Sequence, residues 1–203
     1  MSSLWIKICG LSTDEAVDAA LACGADAIGF VFAASVRRVS PATGARLAKS
    51  ARGRARCVAV MRHPTQGELD AVLTEFRPDI LQTDIEDFGE LQVPTELERL
   101  PVLRPGHRQS QLPRRILFEG PASGAGRVSD WTYGALIARH RELVLAGGLA
   151  PENVAEAVER VKPFGVDVSS GVEVQPGIKS VERIASFIAA ARAAARTKEE
   201  IAT

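Results

Sequence analysis

"LWIKICGLSTDEAVDAALACGADAIGFVF", Leu4 to Phe32, contains the pattern that decides the fold. A short apolar run at Leu4–Cys9 gives way to a helical run at Thr13–Cys23, and a second apolar run follows at Asp26–Phe32. Ser12-Thr13-Asp14-Glu15 supplies an N-cap and first-turn acids, which suit the unpaired amides of a helix start. Gly24 ends that helix as a left-handed stop. The second run is apolar at nearly every position, as expected of a parallel strand packed on both faces. The unit is strand, helix, strand.

Working outward, the same unit recurs. Further strand-like runs are Arg56–Met61, Asp79–Thr83, Val102–Arg104, Arg115–Glu119, Leu143–Ala146 and Gly165–Ser169, which makes eight. Helical runs lie at Pro41–Arg52, Gln66–Phe76, Trp131–Arg139, Pro151–Lys162 and Val181–Ala195, with Pro41 and Pro151 near the first helical position. Regular β/α alternation with eight strands predicts a single (β/α)₈ barrel over residues 1–203, with a frayed tail at 196–203. Two units are irregular. "PGHRQSQLPR" is too short and proline-bounded for a normal fifth helix, and Pro94 breaks the fourth.

Composition narrows the function classes. The 203 residues include 25 basic and 25 acidic side chains, so no global field favours nucleic acid or an anionic membrane. The basic run "ARGRARC" at Ala51–Cys57 has no interleaved aromatics and reads as a solvated helix end. "MSSLWIKICG" lacks the regions of a signal peptide, and no apolar run approaches the roughly 18 residues of a spanning helix. Cys9, Cys23 and Cys57 are odd in number and unclustered, which argues against a disulfide framework or a zinc site. A cytoplasmic protein without metal is the expectation.

In such a barrel, active groups cluster at the C-terminal ends of the strands. The period of two then assigns faces. On the first strand Leu4, Ile6 and Ile8 turn toward the helices, which leaves Lys7 and Cys9 facing the barrel mouth. On the sixth, Leu117 and Glu119 face in; on the eighth, Asp167 and Ser169 do. Cations lower a thiol pKa from near 8.5, so Lys7 would make Cys9 a competent base. A partly desolvated Glu119 would stay protonated as an acid. Taken alone, Cys9 also reads as a small buried hydrophobe.

Gly147-Gly148 after the seventh strand and Ser169-Ser170-Gly171 after the eighth read as phosphate cradles, because glycine permits close backbone approach to an anion. Arg37 or Arg38, after the second strand, could clamp a carboxylate with its planar fork. "SGAGRVS" lacks the third glycine of a dinucleotide fingerprint and is set aside.

"KICGL" (Lys7–Leu11), "GADAIGFVFAASVRRVSP" (Gly24–Pro41), "LAGGL" (Leu145–Leu149) and "GVDVSSGVE" (Gly165–Glu173) followed by "PGIKS" closely resemble the phosphoribosylanthranilate isomerases of tryptophan biosynthesis. The resemblance runs from the first strand to the last helix. It implies a cofactor-free and metal-free Amadori rearrangement of N-(5′-phosphoribosyl)anthranilate, with the base at Cys9 and the acid at Glu119. It also implies an anthranilate carboxylate held by Arg37, and phosphate held by Gly147–Leu149 and Ser169–Gly171. Lys7, Arg37, Gln82 and Asp167 are the expected substrate-binding side chains. The partner is then a small phosphorylated molecule, and the assembly a monomer or homodimer.

The chain departs from that family in places. Glu119 replaces the usual aspartate and is one methylene longer. "QTDI" at Gln82–Ile85 puts Asp84 where the family has histidine; an acid there would raise the Cys9 pKa or hydrogen-bond the substrate. "SGAG" at Ser123–Gly126 and Val36 are further differences. The other readings weighed are a histidine-pathway Amadori enzyme, which usually has paired aspartates in a repeated chain, and a non-catalytic barrel that binds a phosphorylated ligand.

Overall fold

The computed structural model describes residues 4–106, 112–120 and 128–201, with side chains described as far as residue 196. Eight parallel strands close into a barrel in sequence order: β1 (Trp5–Cys9), β2 (Ala27–Val31), β3 (Arg56–Val60), β4 (Ile80–Asp84), β5 (Glu98–Leu103), β6 (Arg115–Phe118), β7 (Glu142–Leu145) and β8 (Gly165–Val168). β1 pairs with both β2 and β8, so Lys7 lies beside Ala27 on one side and Asp167 on the other.

Around the barrel run α1 (Asp14–Ala22), α2 (Pro41–Leu47), α3 (Gln66–Glu75), the single turn α4 (Asp87–Glu90), α5 (Trp131–Ala138), α6 (Val154–Val161) and α7 (Val181–Ile201). The Thr13 cap of α1 and Pro41 at the start of α2 are as read from sequence, whereas α6 begins at Val154, three residues past Pro151, because Ala150–Asn153 form a turn braced by the Asn153 side chain. Thr13 caps α1 by accepting from the Ala16 amide, and Ser40 caps α2 ahead of Pro41. Thr65 and Glu68 form a reciprocal capping box on α3.

Two apolar layers follow from strand alternation. Ile6, Ile8, Ile28, Phe30, Ile116, Phe118, Val166 and Val168 pack outward against the helices. Ala27, Val58, Ile80, Leu100, Val102, Leu117, Val144 and Ala146 fill the inside. The expected faces of β1, β6 and β8 are those observed. β5 is longer than the Val102–Arg104 run suggested, because its first half is charged and contains Pro101 and still pairs with β4. The fourth helix is cut to one turn ahead of Pro94. Between β5 and β6 the described residues contain no helix, in line with the irregular fifth unit; residues 107–111 of that connection lie outside them. The tail expected to fray at 196–203 instead continues α7 as far as Ile201, because Ala, Arg, Lys and Glu are strong helix formers; residues 202–203 lie outside the described residues. Among the described residues no helix is long and apolar enough to cross a membrane.

Beyond β8 the chain makes a two-stranded hairpin, β9 (Glu173–Gln175) and β10 (Ile178–Lys179), turned at Gly177 with φ of 86°. This hairpin folds Lys179 back over the end of β8.

Candidate active site

A cavity of about 170 Å³ opens at the C-terminal end of the barrel, lined by residues that include Cys9, Arg37, Gln82, Arg104, Glu119, Asp167 and Ser169. Seven of the eight strands, all but β7, contribute a residue there, from their C-terminal halves or the loops that follow, with Gln82 midway along β4. The thiol and the carboxyl group therefore face one compartment. Next to it a hollow of about 440 Å³ shares Ala33, Ala34, Met61 and Arg62 with this lining. A larger hollow, about 710 Å³, lies between Phe88, Arg99, Pro113 and Glu142 and includes none of the expected site residues.

Lys7 lies outside the cavity lining. It is fully buried, and its ammonium donates to Asp167 Oδ1 at 2.8 Å. Burial alone would depress the Lys7 pKa, but Asp167 and Cys9 outweigh it and hold it above the usual lysine value. Cys9 runs against the expectation from sequence. Burial pushes its thiol above the ordinary value, and Lys7 only partly offsets that. Asp167 adds to the rise, while Lys179 pulls weakly the other way. Desolvation of the thiolate is the dominant contribution. Gly29 makes room for this arrangement, since a Cβ there would stand 3.0 Å from both Cys9 Sγ and Lys7 Cε.

Arg37 reaches the cavity across the end of β1. Gly10 allows this, for it has φ of 75° and a Cβ on it would come within 2.7 Å of Arg37 Cδ. The guanidinium is already engaged: Nε and Nη2 donate to the two oxygens of Glu173 at 2.7 and 2.8 Å. Among the described residues its Nη1 has no acceptor. Glu173 also accepts from Lys179 at 2.8 Å, and Lys179 donates to the Ser169 carbonyl and hydroxyl at 3.0 and 3.2 Å. Burial favours the neutral form of Glu173, yet these two cations hold its pKa below the usual glutamate value. Burial in turn lowers the Lys179 pKa against the pull of Glu173. Glu173 and Lys179 belong to the "SSGVE" and "PGIKS" motifs but had no individual role in the sequence reading.

The two glycine loops meet. A Cβ on Gly171 would fall 1.9 Å from the Leu149 carbonyl oxygen, so only glycine permits the approach. Gly147 and Gly148 both have positive φ, 88° and 65°, and Asn153 braces their loop by donating to the Gly148 carbonyl and accepting from the Ala150 amide. Among the described residues the amides of Gly147, Gly148, Ser170 and Gly171 have no acceptor. Of these two loops only Ser169 is part of the cavity lining.

Gln82 lines the cavity, and its buried Oε1 has no hydrogen-bond partner among the described residues. A native orphan of this kind calls for a donor, and a ligand would supply one. Sequence reasoning missed Arg104, Arg62 and His63. Asp84 accepts from Arg104 Nε at 2.8 Å and lies 3.2 Å from His63 Nε2. The signal for Arg104 was its phase with Leu100 and Val102, which turns it inward. No group of three or more His, Cys, Asp or Glu side chains among the described residues could hold a metal ion.

Comparison with known proteins bears on the family and the fold. The family model for N-(5′-phosphoribosyl)anthranilate (PRA) isomerase matches residues 6–190. The N-(5′-phosphoribosyl)anthranilate isomerase of Azorhizobium caulinodans is 39% identical over 209 residues, which covers 93% of this chain and 92% of that one. The crystal structure of phosphoribosyl anthranilate isomerase from Thermus thermophilus superposes with a TM-score of 0.78 at 28% identity, covering 92% of this chain and 98% of that one. A further isomerase of this kind, solved in complex with reduced 1-(o-carboxyphenylamino)-1-deoxyribulose 5-phosphate, gives a TM-score of 0.73 at 28% identity, covering 94% and 99%. With a matched barrel and a matched length, the chain belongs to the phosphoribosylanthranilate isomerase family, isomerases of tryptophan biosynthesis.

Proposed function

We propose that this chain rearranges N-(5′-phosphoribosyl)anthranilate with Glu119 as general acid and Cys9 as general base. The observation that carries the reading is that Cys9, ending β1, and Glu119, following β6 three strands away, line one cavity at the C-terminal end of the strands. Glu119 gives its proton to the furanose oxygen as the C1′–O bond breaks, which leaves an open-chain iminium. The thiolate of Cys9 then takes the C2′ proton. The C–H electron pair becomes the C1′–C2′ double bond, and the iminium nitrogen is neutralised. The resulting enolamine becomes the ketone by gaining a proton at C1′ and losing one from O2′.

The surrounding groups fit these steps. Lys7 and Lys179 favour the thiolate that burial opposes, and the iminium adds a third positive charge beside it when the base is needed. The amides of Gly147, Gly148, Ser170 and Gly171, without an acceptor among the described residues, suit a phosphate, which accepts several backbone N–H donors at once. Gln82 would donate or accept at the sugar. Arg37, oriented by Glu173, would offer Nη1 to the anthranilate carboxylate, and the adjoining hollow has room for the aromatic ring. Lys7 and Asp167 act on the substrate through Cys9 and the cavity floor.

The test is steady-state decay of phosphoribosylanthranilate fluorescence with Cys9→Ala and Glu119→Gln. Each is expected to lose about 10²–10⁴-fold in kcat while the circular dichroism spectrum is unchanged. Near-normal turnover by either variant would remove that residue from its role.

A further inference from the structure

We propose that Arg104 is a positioning residue that aims the Glu119 carboxyl group, and that Asp84 acts through it. This inference rests on Glu119 being the acid. Asp84 ends β4, Arg104 follows β5 and Glu119 follows β6, so the three occupy neighbouring inward positions on consecutive strands. The Glu119 amide donates to the Leu103 carbonyl at 3.2 Å, which places its Cα beside that of Arg104. Arg104 and Glu119 line the cavity, Asp84 lies behind Arg104, and all three side chains are largely covered, with exposures of 5% for Asp84, 21% for Arg104 and 14% for Glu119.

Arg104 donates through Nε to Asp84 Oδ1 at 2.8 Å and through Nη1 to Glu119 Oε2 at 3.4 Å. A guanidinium is planar, with donors in a rigid fork. Fixing Nε therefore fixes the direction in which Nη1 points. The short contact is the anchor and the long one is the aim. Asp84 is itself held. His63 Nε2 lies 3.2 Å from its other oxygen, and Asp87 grips His63 by both the backbone amide, at 3.1 Å, and Nδ1, at 2.9 Å. The chain of contacts runs from Asp87 through His63, Asp84 and Arg104 to Glu119. Glutamate has one more rotatable bond than aspartate, so a carboxyl at this strand end needs lateral restraint to hold one orientation. Asp84 and Glu119, two of the positions where the sequence departs from the family pattern, are the two carboxylates that this arginine joins.

The experiment uses the full chain and kinetics on phosphoribosylanthranilate for Arg104→Met, Arg104→Lys, Asp84→Asn and the double variant Asp84→Asn/Arg104→Met, with Glu119→Gln as reference. Arg104→Met is expected to lower kcat by about 10- to 100-fold, the scale of a misplaced catalytic group, with KM within about two-fold of the parent. Arg104→Lys keeps a cation but not the fork, and is expected to recover only a minor part of kcat. Asp84→Asn is expected to lower kcat in the parent and to add nothing to Arg104→Met. If Arg104→Met fails to fold, the shared kcat loss of Arg104→Lys and Asp84→Asn carries the test. The proposal is overturned if Arg104→Lys restores full kcat, if Arg104→Met raises KM alone, or if Asp84→Asn costs as much without Arg104 as with it. An active Glu119→Gln would instead overturn the acid assignment. An inactive Glu119→Gln beside a normal Arg104→Met would sink only the positioning role.

Discussion

Lys7→Met tests how the barrel supports its base. The ammonium and the Asp167 carboxylate are 2.8 Å apart with side-chain exposures of 0% and 9%. At that distance two unit charges attract by about 6 kcal/mol at an effective dielectric constant near 20. Desolvating two ions costs several kcal/mol each, so the intact pair contributes little net stability. Removing one partner is different, because the other charge stays buried and uncompensated. Lys7→Met is therefore expected to lose about 3–5 kcal/mol, and Asp167→Asn a comparable amount. The double variant should lose much less than the sum, since neither charge remains. Urea unfolding of the two singles and the double measures this, with m unchanged so that the midpoints report stability. Additive losses, or a Lys7→Met loss below about 1 kcal/mol, would refute the buried pair. The folded fraction of Lys7→Met should also turn over more slowly, because the cation that offsets burial at Cys9 is gone.

Further outcomes follow from single positions. A methyl at Gly29 stands 3.0 Å from Cys9 Sγ and Lys7 Cε, so Gly29→Ala should lower kcat at a near-parental melting temperature; parental kcat would show that the thiol's placement does not matter. Gly171→Ala collides with the Leu149 carbonyl at 1.9 Å and must part the two loops. It should raise KM and weaken competitive inhibition by inorganic phosphate, and unchanged inhibition would separate these loops from phosphate. Burial pushes the Cys57 thiol up to about 11 from its usual 9.0. The folded state then keeps a proton that the unfolded chain releases, so this contribution to stability is whole below pH 9 and is lost as pH rises toward 11. Cys57→Ala should show a shallower loss of urea midpoint across that window, and an unchanged slope would contradict it.

Much of the fold was legible because its signals are local. Thr13 and Pro41 begin helices by short-range preferences, and strand alternation places Lys7, Leu117 and Asp167 inside whatever the distant chain does. The first half of β5 escaped notice because Glu98, Arg99 and Pro101 do not look like a strand. Glu98 is met by Arg56 of β3 and Arg115 of β6, and Arg99 donates to the Val93 carbonyl. Site residues on strand ends were legible for the same reason as the strands. Their charge state was not. Whether Lys7 or burial governs Cys9 depends on how completely the closed barrel removes water, and no spacing in the sequence encodes that. The engagement of Arg37 by Glu173 and the grip of Arg104 on Asp84 likewise join residues 136 and 20 positions apart, and exist only once the loops are in place.

The most direct test uses phosphoribosylanthranilate deuterated at C2′ in single-turnover experiments with the parent, Cys9→Ser and Glu119→Gln. Weakening the base should make C2′ proton removal limiting, so Cys9→Ser shows a larger primary isotope effect than the parent. Weakening the acid should make ring opening limiting, so Glu119→Gln shows an effect near unity. The reverse pattern, or the same isotope effect in both variants, would contradict the division of labour between the thiol and the carboxyl group.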